Sequence, residues 1–344
     1  MLREGMQNMD WCEMTMSMMR EKQFEACERR LFSYPCIALF SDDATEFDAM
    51  NLLECSYEEQ SMPKLISLRE LRERVMFRLP LEVQYISVSE MQLLERLLLN
   101  DGQILLGDWD DIAAAEALVR RLWCSFSAVG EEWRLTLPKA LHESIKISMH
   151  MPEVAAVRER VFRFDATIHG LLYIAGLLHS AQPIDVFVRE VMKRDDALAL
   201  EIARRYLQST FEYITDANGD LILLHPGLAD PYRMFRMQPV DGIFTLELSQ
   251  ELIAGGMNGM LPEEIPLHDA LCGALRGSLR PEVDLGEAAE DLRMLAKQGV
   301  SLPEMEDVMA AMLSVLPTQA MKDALKMLYQ CTPHWMGLKT ALVQ

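Results

Sequence analysis

The sequence lacks the features that mark several large classes of protein. Its 344 residues include only 7 cysteines, and none of them falls in a CxxC, a CxC or a clustered Cys/His spacing. Neither a disulfide framework nor a structural zinc site is therefore indicated. The longest nearly uncharged stretch, residues 166–182, contains two histidines and is too short to cross a bilayer. The N-terminus has no basic end followed by an apolar block. We expect a cytoplasmic protein with reduced cysteines and no membrane partner.

Positive charge is also scarce. Lys and Arg number 33 against 53 Asp and Glu, which gives a net charge of −20. The block 161–240 is the least acidic, with 8 Lys or Arg and 10 Asp or Glu, and the block 241–344 is the most acidic, with 7 and 15. Nucleic acid is a polyanion, so a protein whose whole surface binds it is excluded. A nucleic-acid partner is disfavoured by charge and would be sought first in 161–240.

No motif of a known catalytic site occurs. The sequence has no G-x-S-x-G, no P-loop and no H-E-x-x-H. The glycines Gly255, Gly256 and Gly259 lack the Lys-Ser/Thr that follows a phosphate loop, and together with Pro262 they predict a turn-rich joint. We therefore predict no catalytic residue, no cofactor and no metal site. An enzyme with dispersed catalytic residues stays open as an alternative.

The sequence contains mostly helical periodicity. Because 50% of its residues are hydrophobic, the chain is not generally disordered. Residues 166–226 predict three helices, the third over Ala197–Thr210, followed by two short strands around Asn218-Gly219. An Asn-Gly between two apolar runs is a strong hairpin signal. This order is typical of a winged helix. Residues 86–138, where a helix with a Ser89/Gln92 capping box is predicted, repeat the order without a clear middle helix and are interpreted as a degenerate copy.

Capping signals also predict helices beyond residue 240. Asp284 with Glu287, Ser301 with Glu304, and Thr318 each precede an apolar period. The fold class is thus mainly α with small β-hairpins. We predict four regions in order: a mixed N-terminal region over 1–85, a helical segment with the degenerate winged helix over 86–160, a winged helix-like domain over 161–240, and an acidic helical domain over 241–344. The methionine-rich start, Met1–Arg20, is interpreted as a frayed end, with a soft partner-binding surface as the alternative.

Three short motifs carry a family resemblance. They are His169-Gly170-Leu171-Leu172-Tyr173, His225-Pro226 and Thr332-Pro333-x-Trp335. In their order and spacing the sequence resembles an uncharacterised group of bacterial proteins with winged-helix-like segments and an acidic helical C-terminal region. The resemblance implies architecture and no activity. Some members carry a cysteine-rich metal-binding tail, which this sequence does not contain, so no metal role is implied.

These observations leave three functional hypotheses. The first is a non-enzymatic protein-interaction or regulatory adaptor whose partner is another protein. The second is a winged-helix DNA-binding transcriptional regulator, and the third is an unrecognised enzyme with a deep pocket. For the second, the candidate nucleic-acid-binding residues are Arg189, Lys193, Arg194, Arg204 and Arg205. They are interspersed with carboxylates, and the predicted hairpin carries two aspartates, Asp216 and Asp220, where DNA-binding wings prefer Lys or Arg.

Overall fold

The fold is given by a computed structural model, which describes residues 30–31, 33–57, 65–106, 109–129, 132–237 and 250–335. Two units are present. Of the described residues, unit 1 contains 165–182, 212–237 and 250–335, and unit 2 contains 30–164 and 183–211. The four regions expected from the sequence stay a prediction. The methionine-rich start, Met1–Arg20, lies outside the described residues.

Helices make up most of both units, which confirms the mainly α class with small β-hairpins. The first six helices are α1 Glu46–Cys55, α2 Leu68–Glu82, α3 Val88–Leu99, α4 Trp109–Arg120, α5 Lys139–Met149 and α6 Pro152–Ala175, with a 3₁₀ turn over Val83–Tyr85. They are followed by α7 Ala181–Val186, a π-helical segment Phe187–Met192, and α8 Ala197–Thr210. The remaining helices are α9 Pro231–Met237, α10 Gln250–Met257, α11 Ile265–Leu275, α12 Leu285–Lys297, α13 Leu302–Met312 and α14 Gln319–Cys331. None of the described helices is both long and apolar enough to cross a lipid bilayer.

Two small antiparallel sheets share one topology. Unit 2 contains β1 Gln103–Leu106, β2 Ser125–Val129 and β3 Glu132–Thr136, and unit 1 contains β4 Leu177–His179, β5 Glu212–Thr215 and β6 Leu221–Leu224. In each sheet the third strand lies between the first and the second. The predicted hairpin is confirmed, because Thr215 pairs with Leu221 and Asn218-Gly219 lies in the turn between them. Gly219 has φ +86°, which a glycine adopts without strain. Strands β1 and β4 were not predicted.

Local capping explains several of the helix starts. Asp284 accepts hydrogen bonds from two N–H groups at the start of α12, and Ser301 and Glu304 form the predicted capping box of α13. The start of α3 differs from the prediction. Its capping box is Ser87 with Glu90, two residues before the Ser89/Gln92 pair that the spacing also fits.

A hydrophobic core lies in unit 2 between Leu31 and Ile145, and the C-terminal helices of unit 1 form another. The C-terminal core includes the methionines of α13, Met305, Met309 and Met312, which are buried on one helix face. The predicted turn-rich joint begins later than expected: Gly255 and Gly256 are helical and belong to α10, whereas Gly259, with φ +72°, and Pro262 lie in turns. A Cβ at Gly256 would lie 2.5 Å from the carbonyl oxygen of Gly170 in α6. Glycine is therefore required because the two helix backbones touch.

Candidate functional site

Three of the five predicted phosphate-binding cations are exposed, and two of these are paired with neighbouring acids. Arg189 forms an ion pair with Asp185, and Arg194 Nε lies 2.8 Å from Asp196 Oδ2. Lys193 caps the π-helical segment with a left-handed backbone, φ 54°. Exposed pairs of this kind contribute little to stability, but they offset the positive charge that a phosphate would meet.

The other two predicted cations, Arg204 and Arg205, lie on α8. Arg204 is half-buried. Arg205 is 4% exposed, and its two terminal nitrogens each lie 2.7 Å from a carboxylate oxygen, one of Glu82 and one of Glu201. Arg205 therefore cannot join an exposed cationic surface, because its guanidinium is already engaged inside unit 2. Nucleic-acid binding by these residues stays a prediction, and it would depend on the other four.

Arg205 belongs to a buried set of charged groups in unit 2, which we name the arginine–glutamate cluster: Arg78, Arg121, Arg205, Glu82, Glu90 and Glu201. Arg121 bonds through all three of its nitrogens: Nε lies 2.7 Å from Glu90 Oε1, Nη1 lies 3.5 Å from Glu82 Oε2, and Nη2 donates to Ser209 Oγ. Burial alone would lower the pKa of Arg121, but Glu90 and Glu82 raise it above its ordinary value. The guanidinium thus stays charged in the interior.

Glu201 connects the cluster to α2. Its carboxylate accepts hydrogen bonds from Arg205 Nη2 and from both terminal nitrogens of Arg78. Arg74 Nη2 lies 3.5 Å from the same carboxylate. The cluster therefore joins side chains that are far apart in the sequence, and it explains why Glu201 does not lie on a free polar face of α8.

Unit 1 contains a second buried polar group, which we name the Glu264 centre: Tyr173, Glu264, Arg293 and Lys297. One carboxylate oxygen, Oε2, accepts hydrogen bonds from the Tyr173 hydroxyl, from Arg293 and from the Leu261 N–H. The other oxygen, Oε1, lies 2.8 Å from Lys297 Nζ. All four side chains are at most 2% exposed. Arg293 also pairs with Glu290 and donates to the Gly259 carbonyl oxygen at 2.7 Å, so Glu264 is the carboxylate that the two buried cations share.

The electrostatics of the centre follow from burial and from these contacts. Burial alone would raise the pKa of Glu264, but Lys297 and the hydrogen bonds to the carboxylate lower it below its usual range. Burial lowers the pKa of Lys297, whose ammonium also lies 4.1 Å from the centre of the Tyr173 ring. Burial and Glu264 raise the pKa of the Tyr173 phenol, so the phenol remains a donor. The centre is thus an ion pair supported by an aromatic ring.

The structure brings together residues from all three motifs of the family resemblance. The His225 ring lies between the rings of Tyr173 and Trp335, with centroid distances of 5.9 and 5.2 Å. Trp335 Nε1 donates to the Tyr173 carbonyl oxygen at 2.9 Å. His225 Nδ1 accepts from the Gly227 N–H at 3.0 Å, and burial together with nearby Lys297 lowers the pKa of His225 to about 3. This histidine is neutral at physiological pH.

Neither buried cluster is arranged as an open catalytic site. The members of the Glu264 centre are inaccessible to a substrate, and the arginine–glutamate cluster has its donors and acceptors paired with one another. A shallow cavity of about 400 Å³ in unit 2 includes no residue of either cluster. Its lining consists of Ser89, Gln92, Glu95, Arg96, Leu99 and Asp111. Within this cavity Arg96 forms an ion pair with Asp111, and Arg96 Nη1 lies 2.7 Å from Asp111 Oδ1.

Large apolar side chains lie exposed on the helices of unit 2. Phe47 on α1 is 71% exposed and Phe77 on α2 is 78% exposed. Met50 lies one turn after Phe47, and Leu65 precedes α2. The carboxylate of Glu46 accepts from the first N–H of α2 at 2.7 Å, so the starts of α1 and α2 are adjacent. We name Phe47 and Met50 the α1 face. Sequence reasoning did not identify it, although Phe47 falls opposite the buried Ala49 and Leu53 in the helical period.

No family model matches the chain, and the comparisons with curated proteins and with solved structures found no match.

Proposed function

We propose that this chain is a non-enzymatic protein-interaction or regulatory adaptor built on winged-helix-like segments, and that its partner is another protein. One observation carries the proposal: aromatic and aliphatic side chains lie exposed on helices, whereas the strongest charged groups are paired in the interior. Exposed aromatic side chains that a partner can cover are typical anchors of protein interfaces, and buried ion pairs hold the helices that present them.

The α1 face is the part of the surface best suited to this role. Phe47 and Met50 lie three residues apart, so they project from the same side of α1, and they are 71% and 39% exposed. Two large exposed apolar side chains that are neighbours on one helix offer a partner a continuous contact. A partner helix or loop that buries them would gain roughly 1.5–3 kcal/mol for each fully covered side chain, before the costs of association.

The test compares proteins retained by the full chain and by matched variants in pull-downs from native lysate. We expect a protein that the wild type retains to be lost with the double variant Phe47→Gln, Met50→Gln, and kept with Phe162→Gln. Phe162 is 64% exposed in unit 2 and serves as the control for a changed exposed phenylalanine. If the double variant retains the same proteins as the wild type, the α1 face is not the interaction surface.

DNA binding is the second candidate, because the element order from α6 to β6 follows that of a winged helix. Anisotropy of a labelled random duplex, measured from low to physiological salt, tests it. We expect only weak binding. Three or four neutralised phosphates would give a log–log salt slope of about −3 to −4. Tight binding that is lost in the double variant Lys193→Ala, Arg204→Ala would favour DNA over protein.

A further inference from the structure

Helix α9 differs in composition from the rest of the acidic chain. Its seven residues, Pro231–Met237, include two arginines and two aromatic residues and no acid, whereas the whole chain has 53 Asp and Glu against 33 Lys and Arg. Tyr232 is 51% exposed, and Arg233 and Arg236 are exposed as well. Arg236 follows Arg233 by three residues and Tyr232 by four, so the three side chains project from one side of the helix. We name Tyr232, Arg233 and Arg236 the α9 face.

The opposite side of α9 anchors the helix in unit 1. Met234 is 3% exposed, and the centroid of the Phe235 ring lies 5.4 Å from that of the His179 ring in β4. Just before the helix, the Ala229 N–H donates to Gln298 Oε1 at 2.8 Å. The α9 face is therefore held in position before a partner arrives, which lowers the entropic cost of binding.

The two arginines of the α9 face lack the ion pairs that other exposed arginines have. Arg69 and Arg189, for example, each pair with an acid four residues away in the chain. Arg233 and Arg236 form no ion pair with any residue that the structure describes. A guanidinium carries its donors in a planar fork that matches the two oxygens of a carboxylate. The α9 face thus offers two such forks, beside an aromatic ring, to an external acid.

We propose that the α9 face binds an acidic segment of a partner protein, with Arg233 and Arg236 on its carboxylates and the Tyr232 ring against a neighbouring apolar side chain. Tyrosine and arginine are enriched among the residues that contribute most to protein interfaces. This inference rests on the proposed function, because it takes the partner to be a protein. It adds a second surface, in unit 1, whose partner chemistry differs from that of the α1 face.

A nucleic-acid strand fits the α9 face less well than an acidic peptide does. A phosphate backbone carries a charge at every nucleotide and is bound by a track of several cations, whereas the α9 face supplies two. Hydrogen bonds from Ser301 and, to a lesser extent, Arg233 lower the pKa of Glu304, so one carboxylate already lies near Arg233 and would repel a long polyanion. A short acidic segment is less affected, because repulsion from more distant acids is screened beyond about 8 Å at physiological salt.

Fluorescence anisotropy with the full chain tests the proposal. The probe is a short labelled peptide of glutamates around one central leucine, titrated at physiological ionic strength. We expect the double variant Arg233→Glu, Arg236→Glu to bind it at least about tenfold more weakly than the wild type, because like charges then face each other. The control, Arg276→Glu with Lys326→Glu, makes the same change in net charge at two exposed cations of unit 1 and should bind as the wild type does.

Two further variants separate the parts of the α9 face. Tyr232→Ala should weaken binding of the leucine peptide and leave binding of a peptide with serine in place of leucine nearly unchanged. The neutral pair Arg233→Gln, Arg236→Gln should also weaken binding of the leucine peptide, by less than the charge reversal does. Because all three side chains are exposed, we expect the circular dichroism spectra of these variants to match that of the wild type.

Three results would overturn the proposal. They are failure of the wild type to bind the peptide, equal affinity of the wild type and the charge-reversal variant, and tighter binding of a labelled single-stranded oligothymidylate than of the peptide. The last result would assign the α9 face to nucleic acid. The peptide titration is independent of the lysate pull-down. If the peptide does not bind while Phe47→Gln, Met50→Gln still loses the retained protein, the proposed function stands and only the role of the α9 face is wrong.

Discussion

Each unit holds a buried set of charged side chains, but the two sets are built differently. In unit 1 two cations and a phenol share one buried carboxylate, Glu264, and Arg293 has a further partner in the half-buried Glu290. In unit 2 three arginines share three glutamates: Arg78, Arg121 and Arg205 with Glu82, Glu90 and Glu201. Within the described residues, loss of Glu264 removes the carboxylate shared by Lys297 and Arg293. Loss of one glutamate from the cluster leaves others in place.

The comparison shows that burial alone does not determine how strongly the stability of a region depends on its charged side chains. A cluster with several shared acceptors distributes the desolvation cost, whereas in the Glu264 centre the cost of burying Lys297 falls on the one carboxylate that pairs with it among the described residues. The choice of cation matters as well. The ammonium of Lys297 can lose its proton, and burial lowers its pKa, whereas in unit 2 Glu90 and Glu82 keep the pKa of Arg121 above its ordinary value.

The largest loss of unfolding free energy is expected for Glu264→Gln. Lys297 and Arg293 would then lie buried without the carboxylate that they share, and removing one partner of a buried pair typically costs about 3–5 kcal/mol of unfolding free energy. The matched change in unit 2 is Glu201→Gln, at a side chain that is 24% exposed, and we expect a loss of about 1–2 kcal/mol. Urea denaturation followed by circular dichroism measures both. Equal losses of unfolding free energy in the two variants would show that the Glu264 centre depends on its shared carboxylate no more than the arginine–glutamate cluster depends on Glu201.

A second substitution tests whether charge alone or the hydrogen bonds of the guanidinium stabilise the arginine–glutamate cluster of unit 2. Arg121→Lys keeps the charge but cannot form the hydrogen bonds that the guanidinium makes to Glu90, Glu82 and Ser209. We expect a loss of about 2–3 kcal/mol, because hydrogen bonds to charged groups contribute about 1.5–3 kcal/mol each. Arg120→Lys is the control. Its cation can still lie over the Tyr57 ring, so the expected loss in urea denaturation is below about 1 kcal/mol. A loss as small for Arg121→Lys would mean that charge alone holds the cluster.

The pH dependence of unit 1 is the third prediction. The pKa of His225 is about 3 in the folded chain and near its ordinary value of 6.5 when unfolded. Between these values the unfolded state binds more protons, so stability is complete above pH 6.5 and falls as the pH decreases toward 3. The slope is at most about 1.4 kcal/mol per pH unit.

His225→Asn removes this dependence while its amide oxygen can still accept from the Gly227 N–H. On going from pH 7.5 to 5.5 we expect the wild type to lose about 1 kcal/mol more unfolding free energy than the variant. Urea denaturation at both pH values measures the difference. Parallel losses in the two proteins would mean that His225 takes up a proton in the folded state as readily as in the unfolded chain.

The sequence was sufficient to predict those features that depend only on residues adjacent in the chain. The hairpin at Asn218-Gly219, the α8 span and the caps at Asp284 and Ser301 each follow from a few adjacent side chains. Strands β1 and β4 escaped prediction because each has at most four residues and pairs with a strand later in the chain. Short extended segments carry little periodicity of their own.

The candidate sites were harder to predict because their partners are distant in the sequence. Arg205 carries a visible i,i+4 signal with Glu201, which suggested a solvated helix face, but its burial depends on Glu82, 123 positions away. Likewise, Glu264 and Tyr173 are separated by 91 positions, and only the packing of unit 1 brings them together. The identity of a residue indicates what it can bind, whereas the packing decides whether it does.

The smallest change in unfolding free energy is expected when the exposed ion pair between Arg194 and Asp196 is removed. This pair lies outside both buried sets of charged side chains. Arg194→Ala should change the unfolding free energy by no more than about 0.5 kcal/mol, because an exposed pair is screened by solvent. Asp196→Ala should cost clearly more, since this carboxylate also accepts from the Ala199 N–H and caps α8. Urea denaturation of the two variants under the same conditions distinguishes the pair from the cap. Equal effects would show that the ion pair, and not the cap, is the contribution of Asp196, and would weaken the contrast between buried and exposed charges.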